Sequence, residues 1–185
     1  MVKENIEQIV KFVKEQFNNN DEERAIIEIN NDINSIVTAI ILSKALGKEN
    51  VIGITMSVEE DAYSNDIKRI SNIFDIKTIN FDLLDVYNKY KKEASNFGYF
   101  MHDETKESNE ELKSRMKMTT LYYLASLFGK MYNKNYRVVG TLNKDDLVKG
   151  NYTTGGENVS DISLLEDFTL SEVIKLGQYF DIPND

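Results

Sequence analysis

Hydrophobic residues along this chain switch between two spacings, and the switches divide it into alternating helices and strands. Val2, Ile6, Ile9, Val10, Val13 and Phe17 recur at helical spacing, so residues 2–17 are predicted as an amphipathic helix that stops at Asn18-Asn19-Asn20-Asp21. Ala25–Ile29 is a short β-branched run between polar residues and predicts a strand. Ile33, Ile36, Val37, Ile40 and Ile41 share one face of a helix ending near Leu46, where Gly47 can stop it. Val51–Met56 and Thr78–Phe81 predict further strands, with a helix marked by Ile67, Ile70, Ile73 and Phe74 between them.

Leu83–Lys92 predicts a helix, and residues 94–107, which have no clear period, predict a surface loop containing His102, the sole histidine. Ser108-Asn109-Glu110-Glu111 has the form of a capping box, placing the start of a long helix there that runs through Leu112, Met116, Tyr123, Leu124, Leu127 and Met131. Tyr136–Gly140 predicts a fourth strand, a Gly- and Thr-rich loop follows, and a last helix covers roughly Thr169 to Phe180. Alternation of this kind implies one α/β domain over residues 1–185: a doubly wound parallel sheet with helices on both faces and right-handed crossovers. Ligands of such sheets bind beyond the carboxyl ends of the strands, which directs attention to residues 30–35, 55–62 and 140–161.

Composition narrows the functional classes. The chain has 185 residues and no cysteine, which excludes disulfides, thiolate chemistry and Cys-ligated metal centres. A net charge of −9 and the lack of a basic stretch argue against nucleic acid as a partner. No run approaches the ~20 apolar residues of a membrane span. The first residues do not resemble a signal peptide, and a cytoplasmic location is the expectation.

Three blocks in register give a more specific picture. The first is the strand–loop–helix leading to Ala45–Met56; the second runs from Asn109 through Arg115-Met116 to Tyr122. The third is Gly140-Thr141-Leu142-Asn143-Lys144-Asp145-Asp146, then Gly150-Asn151-Tyr152-Thr153-Thr154 and Asp161. Together they resemble the ammonia-dependent NAD synthetases, which have an ATP-pyrophosphatase fold. The resemblance implies ATP and Mg²⁺ as cofactors. It also implies adenylation of nicotinic acid adenine dinucleotide with release of pyrophosphate, then displacement of AMP by ammonia to give NAD. A homodimer paired through the long helix, with Met116, Tyr123, Leu127 and Met131 in the contact, is implied as well.

Carried over position by position, the resemblance assigns ATP contacts to Asn30, Asn31, Asp32, Asn34, Ser35, Arg115 and Thr141. Substrate contacts fall on Asn109, Lys113, Tyr152, Thr153, Glu157 and Asp161, and metal contacts on Asp146 and Asn34. The residues themselves depart from the pattern. Where the family reads Ser-Gly-Gly-x-Asp-Ser, this chain reads Asn30-Asn31-Asp32-Ile33-Asn34-Ser35. The glycines of such a loop let backbone amides close around phosphate; Asp32 instead brings a negative charge, and Asn34 is a neutral and poorer Mg²⁺ ligand. Thr154 and Leu170 stand where the family carries lysines.

Each position also has a plainer role. Asp32 or Asn34 can cap the following helix, Asp146 can sit in a solvated turn, Thr141 can serve turn chemistry, and Arg115 can form an ion pair. The chain ends at Asp185, several tens of residues before family members do, and reduced exclusion of water from the site is the corresponding expectation. Two functions are therefore expected: the family reaction at reduced efficiency, or a non-catalytic relative that pairs with itself or with an intact synthetase, or senses a dinucleotide. A third, another ATP-pyrophosphatase such as a transfer-RNA thiolase or GMP synthetase, is disfavoured by the missing cysteine, the acidic charge and the Arg115-Met116 helix.

Overall fold

A computed structural model of the chain describes residues 2–17, 23–58, 72–96 and 105–182. Its elements in chain order are α1 (Val2–Gln16), β1 (Glu23–Glu28), α2 (Ile33–Leu46), β2 (Val51–Ser57), β3 (Thr78–Asp82), α3 (Leu84–Ser95), α4 (Thr105–Tyr132), β4 (Asn135–Gly140), α5 (Lys144–Lys149), β5 (Ile162–Ser163) and α6 (Leu170–Tyr179). The strands form one five-stranded sheet in the order β3-β2-β1-β4-β5, and every pairing is parallel. β1 is central, with Ile26 level with Ile52 of β2 on one side and with Val138 of β4 on the other.

Period-2 alternation along β1 feeds two cores. Ala25 and Ile27 join the face covered by α1, α2 and α6, whereas Ile26 joins Tyr87 of α3 and Leu121, Leu124 and Ala125 of α4 on the opposite face. Helices thus lie on both faces, as the alternation of elements predicts. Helix α2 departs from the single apolar face expected of it. Every residue from Ser35 to Leu42 is buried, because α1 and α6 pack over the side turned away from the sheet.

The long helix begins by Thr105 and not at Ser108, so the Ser108–Glu111 capping box is a misreading: Ser108 lies inside the helix, exposed. A polar first turn carries no apolar periodicity to mark it. Both ends of the expected 94–107 loop are helical, 94–95 closing α3 and 105–107 opening α4, and most of the rest, His102 included, falls outside the described residues. So does most of the helix expected around Ile67 and Ile70. Besides a single 3₁₀ turn at Lys48–Asn50, two of these elements went unpredicted. β5 is two residues long, and α5 has six residues and none buried.

The apolar stripe of α4 is also divided. Met116 is buried and Leu127 packs against the second core, while Tyr123 and Met131 are exposed. Among the described residues no helix is long and apolar enough to cross a membrane.

Candidate functional site

The carboxyl ends of β1 and β4 are neighbours, and the chain leaves them towards different parts of the fold, which opens a crevice between them. A cavity of about 480 Å³ occupies this position. Glu28, Asn30, Asp32 and Asn34 form the wall that follows β1, and Thr141, Leu142 and Asp146 the wall that follows β4. α4 supplies Glu110, Lys113, Ser114, Lys117 and Met118, and the loop after α5 supplies Asn151, Thr153 and Glu157.

The loop after β1 closes on itself. Asp32 is the N-cap of α2, in extended backbone geometry (φ −96°, ψ 151°), and its Oδ1 accepts the Ser35 amide at 2.8 Å. Ser35 Oγ donates to Asn30 Oδ1 at 2.8 Å, and Asn30 Oδ1 also accepts the Asp32 amide at 3.1 Å. An anion at a helix N-terminus is held by such free amides; here a protein carboxylate already occupies them. Although Asp32 as a residue is exposed, its carboxyl is crowded by cleft atoms. That desolvation pushes its pKa up, opposed by hydrogen bonds from the amide of Ser35, the Asn30 side chain and the amide of Asn34, and assisted by the charge of Asp146.

The cations of the cleft are paired as well. Lys117 Nζ lies 2.7 Å from Glu28 Oε1, with both side chains about one-quarter exposed or less. Lys113 Nζ lies 2.8 Å from Glu110 Oε1 and 5.6 Å from the Tyr87 ring centre. Among the described residues, five carboxylates (Glu28, Asp32, Glu110, Asp146, Glu157) therefore line the cavity against two ammonium groups, a balance that opposes a polyanionic ligand.

On the β4 side, Asn143 caps α5 and forms a capping box with Asp146: Asn143 Oδ1 accepts the Asp146 amide at 3.0 Å, and Asp146 Oδ2 accepts the Asn143 amide at 3.1 Å. Asn34 Nδ2 donates to the same Asp146 Oδ2 at 3.3 Å.

The sequence model of the NAD synthase family matches residues 5–185. The chain belongs to the NAD synthase family.

The NH3-dependent NAD+ synthetase of Methanocaldococcus jannaschii is 29% identical over 188 residues, covering 100% of this chain and 68% of that protein. That of Methanococcoides burtonii is 29% identical over 181 residues, covering 95% and 64%. The chain thus spans about two-thirds of the length of the curated relatives it matches. Among solved structures, the NH3-dependent NAD synthetase from Campylobacter jejuni superposes with a TM-score of 0.84 at 22% identity, covering 98% of this chain and 74% of that one. The NMN synthetase from Francisella tularensis gives 0.83 at 20% identity, covering 99% and 72%. Both share the fold.

Within this NAD synthase family domain, the cleft gathers Asn30, Asp32, Asn34, Lys113, Thr141, Asp146, Thr153 and Glu157 from the positions expected on sequence. Ser35 lies beneath the loop as its hub. Five other positions do not line the cavity. Arg115 sits on the flank of α4, where its Nε donates to the Thr154 carbonyl at 3.0 Å and its guanidinium pairs with Glu111 at 3.0 Å. Asp161 braces β4: its Oδ2 accepts the Val138 amide at 2.7 Å and its Oδ1 accepts the Tyr122 hydroxyl at 3.1 Å. Burial first, and then the neighbouring Asp161 charge, push the Tyr122 pKa up to about 12. Asn109 and Tyr152 are also absent from the lining, as is Asn31. Asp146 is in a helical capping box and not in a solvated turn, and Leu170 heads α6, its amide donating to Asp145 Oδ2 at 2.8 Å.

Mg²⁺, which the family resemblance implies, does not fit these residues. Asp146 Oδ2 already accepts two N–H groups, Asn34 turns an N–H towards it, and N–H donors are not ligands for a hard cation. Among the described residues no three acidic or histidine side chains converge as a metal site.

Several lining residues went unrecognised in the sequence. Glu110, Ser114, Lys117 and Met118 share one helix face with the expected Lys113, at i, i+4, i+7 and i+8 around it at i+3, a signal open to reading. Asn143 and Asp146 have the spacing of a capping box, followed by Gly150 in the left-handed region (φ 69°).

Proposed function

We propose that this chain is a non-catalytic member of the NAD synthase family, whose cleft does not accept ATP–Mg²⁺ for adenylation. One observation carries the reading: the Asp32 carboxylate holds the Ser35 amide at 2.8 Å, in the place where a helix N-terminus would hold a phosphate oxygen. Seating a phosphate there means expelling a cap and placing two negative charges side by side. The pairing of Lys117 with Glu28 and of Lys113 with Glu110 points the same way, since neither lysine can meet a phosphate without leaving a carboxylate behind.

What the domain keeps is its fold and the outward side of α4, where Tyr123 and Met131 stand exposed beside a shallow groove lined by Val86, Tyr90, Leu112 and Met116. Pairing through α4, with a second copy or with an intact synthetase, is the role proposed for it, and a dinucleotide is the small molecule to offer its cleft.

The activity test is direct. Purified protein is incubated with ATP, Mg²⁺, ammonia and nicotinic acid adenine dinucleotide, and in parallel with nicotinic acid mononucleotide, the acid corresponding to the product named for the Francisella neighbour. Neither AMP nor an amidated product is expected above the no-enzyme control. Formation of AMP and NAD in equal amounts would overturn the proposal.

A further inference from the structure

Between the carboxyl ends of β1 and β4 three residues, Asn34, Asn143 and Asp146, close a ring of hydrogen bonds. Asn34 Nδ2 donates to Asp146 Oδ2 at 3.3 Å, the Asp146 amide donates to Asn143 Oδ1 at 3.0 Å, and Asn143 Nδ2 donates back to Asn34 Oδ1 at 3.3 Å. Asn143 is 1% exposed, so water does not compete for its amide. The ring ties the first turn of α2 to the first turn of α5, and through them the carboxyl ends of β1 and β4. A second bond at each end stiffens it: Asp146 Oδ2 also accepts the Asn143 amide at 3.1 Å, and the Asn34 carbonyl accepts the Thr38 hydroxyl at 2.7 Å.

The orientation of the Asn34 amide is fixed twice over. Its nitrogen meets a carboxylate oxygen, which only accepts, and its oxygen meets the NH₂ of Asn143, which only donates. Flipping the amide would set oxygen against oxygen and nitrogen against nitrogen. If position 34 carried a second carboxylate, the same spacing would bring two anionic oxygens together, an arrangement that calls for a cation. With an amide there, the donor group takes up that task internally.

We propose that this ring replaces a divalent cation as the tie between the two crossovers, so that the conformation of the cleft is independent of metal. The exchange of one group, Asn34→Asp, would then convert a self-sufficient tie into a cation-dependent one. This deepens the reading of the preceding subsection and rests on it for the role of the cleft, but the two fail separately.

Thermal unfolding is measured for the wild type, Asn34→Asp and Asn34→Ala, each in chelator and in saturating Mg²⁺. The wild-type Tm should be the same in both. Asn34→Asp should melt lower in chelator by about 2–4 °C, the shift that losing an interaction on the scale of one hydrogen bond produces in a domain of this length, and should recover in Mg²⁺. Asn34→Ala should melt lower and ignore Mg²⁺, which also sets the baseline for nonspecific salt effects. Should Asn34→Asp fail to fold in either buffer, the wild type decides: Mn²⁺ titrated against it, followed by water-proton relaxation, should show no site.

A wild-type Tm raised by Mg²⁺ beyond the Asn34→Ala baseline, a micromolar Mn²⁺ site lost in Asp146→Asn, or an Asn34→Asp protein that folds and is blind to Mg²⁺ would each overturn the ring as a cation substitute. AMP and NAD formed by a wild type whose Tm does not respond to Mg²⁺ would instead sink the non-catalytic reading and leave the ring standing.

Discussion

Replacing Asp32 separates two costs that the wild-type loop imposes together on a phosphate. The carboxylate is an N-cap, accepting the Ser35 amide at 2.8 Å, and a phosphate oxygen that takes that amide must first displace it. Loss of an N-cap costs ~0.5–2 kcal/mol. The displaced charge then stays within ~4 Å of the phosphate, worth about 4 kcal/mol at an effective dielectric near 20. Because the residue lies at an exposed loop, solvent screening reduces this to roughly 1–2 kcal/mol. Asparagine caps as well as aspartate and carries no charge, so Asp32→Asn removes only the second cost. At 1.4 kcal/mol per decade its ATP affinity should rise about tenfold.

Asp32→Gly removes both costs, at a few tenths of a kcal/mol of stability, and should gain about a hundredfold in affinity. Titration calorimetry with ATP, in chelator and in Mg²⁺, measures both variants. The expected order is wild type weakest, then Asp32→Asn, then Asp32→Gly. An Asp32→Gly protein no tighter than wild type would refute the loop as the cause, as would micromolar binding by the wild type itself.

The same variant carries a pH signature. Desolvation raises the folded-state pKa of Asp32 above its ordinary value of 3.8, so folding favours the protonated form. That contribution is complete below pH 3.8 and is lost as pH rises through the folded value. Urea denaturation at a series of pH values should therefore show the wild type losing stability relative to Asp32→Asn on going from acid to neutral pH. The opposite slope would contradict the stated cause of the shift.

Two further outcomes test the scaffold. A Cβ at Gly156 would lie 2.0 Å from Ser114 Oγ, which accepts the Glu157 amide at 3.2 Å; Gly156→Ala should cost ~1–3 kcal/mol in urea denaturation, and Ser114→Ala in the same chain should restore part of it. Tyr122, whose pKa is pushed up to about 12, should stay un-ionised in an ultraviolet titration where a free tyrosine, at about 10, has lost its proton. Its stability contribution is intact below the free value and lost as pH rises through the folded one, so Tyr122→Phe should flatten the alkaline fall in stability.

The apolar runs at 25–29, 51–56 and 136–140 made the parallel sheet legible, because strands buried on both faces read as continuous apolar segments, whereas 78–81, the edge strand, was marked by its β-branched and aromatic residues. The identity of the Asp32 cap was also open to reading, since a short acidic side chain just before an apolar helix has few other uses. Less legible was what depends on distant partners. Nothing near Asp161 in the chain announces that it will accept the Val138 amide and the Tyr122 hydroxyl. Arg115 likewise has a local carboxylate, Glu111, and a carbonyl, Thr154, that the fold brings across 39 residues. The start of α4 was missed because its polar turn has no periodicity, and α5 because a six-residue helix buries nothing.

The strand order has a consequence for how the chain is made. β1 is paired on one side by β2, which follows it closely, and on the other by β4, which is synthesised only after residues 135–140 emerge. Until then the β1 flank carrying Arg24, Ala25, Ile26 and Ile27 is an unpaired, largely apolar sheet edge, the kind of edge that recruits strands from other chains. The walls of the crevice come from 28–34, 110–118 and 141–157, so no nascent chain that stops short of residue 157 can contain it. Protection of the central strand therefore precedes completion of the cleft in biogenesis, and a chain cut between residues 140 and 157 keeps the first and loses the second.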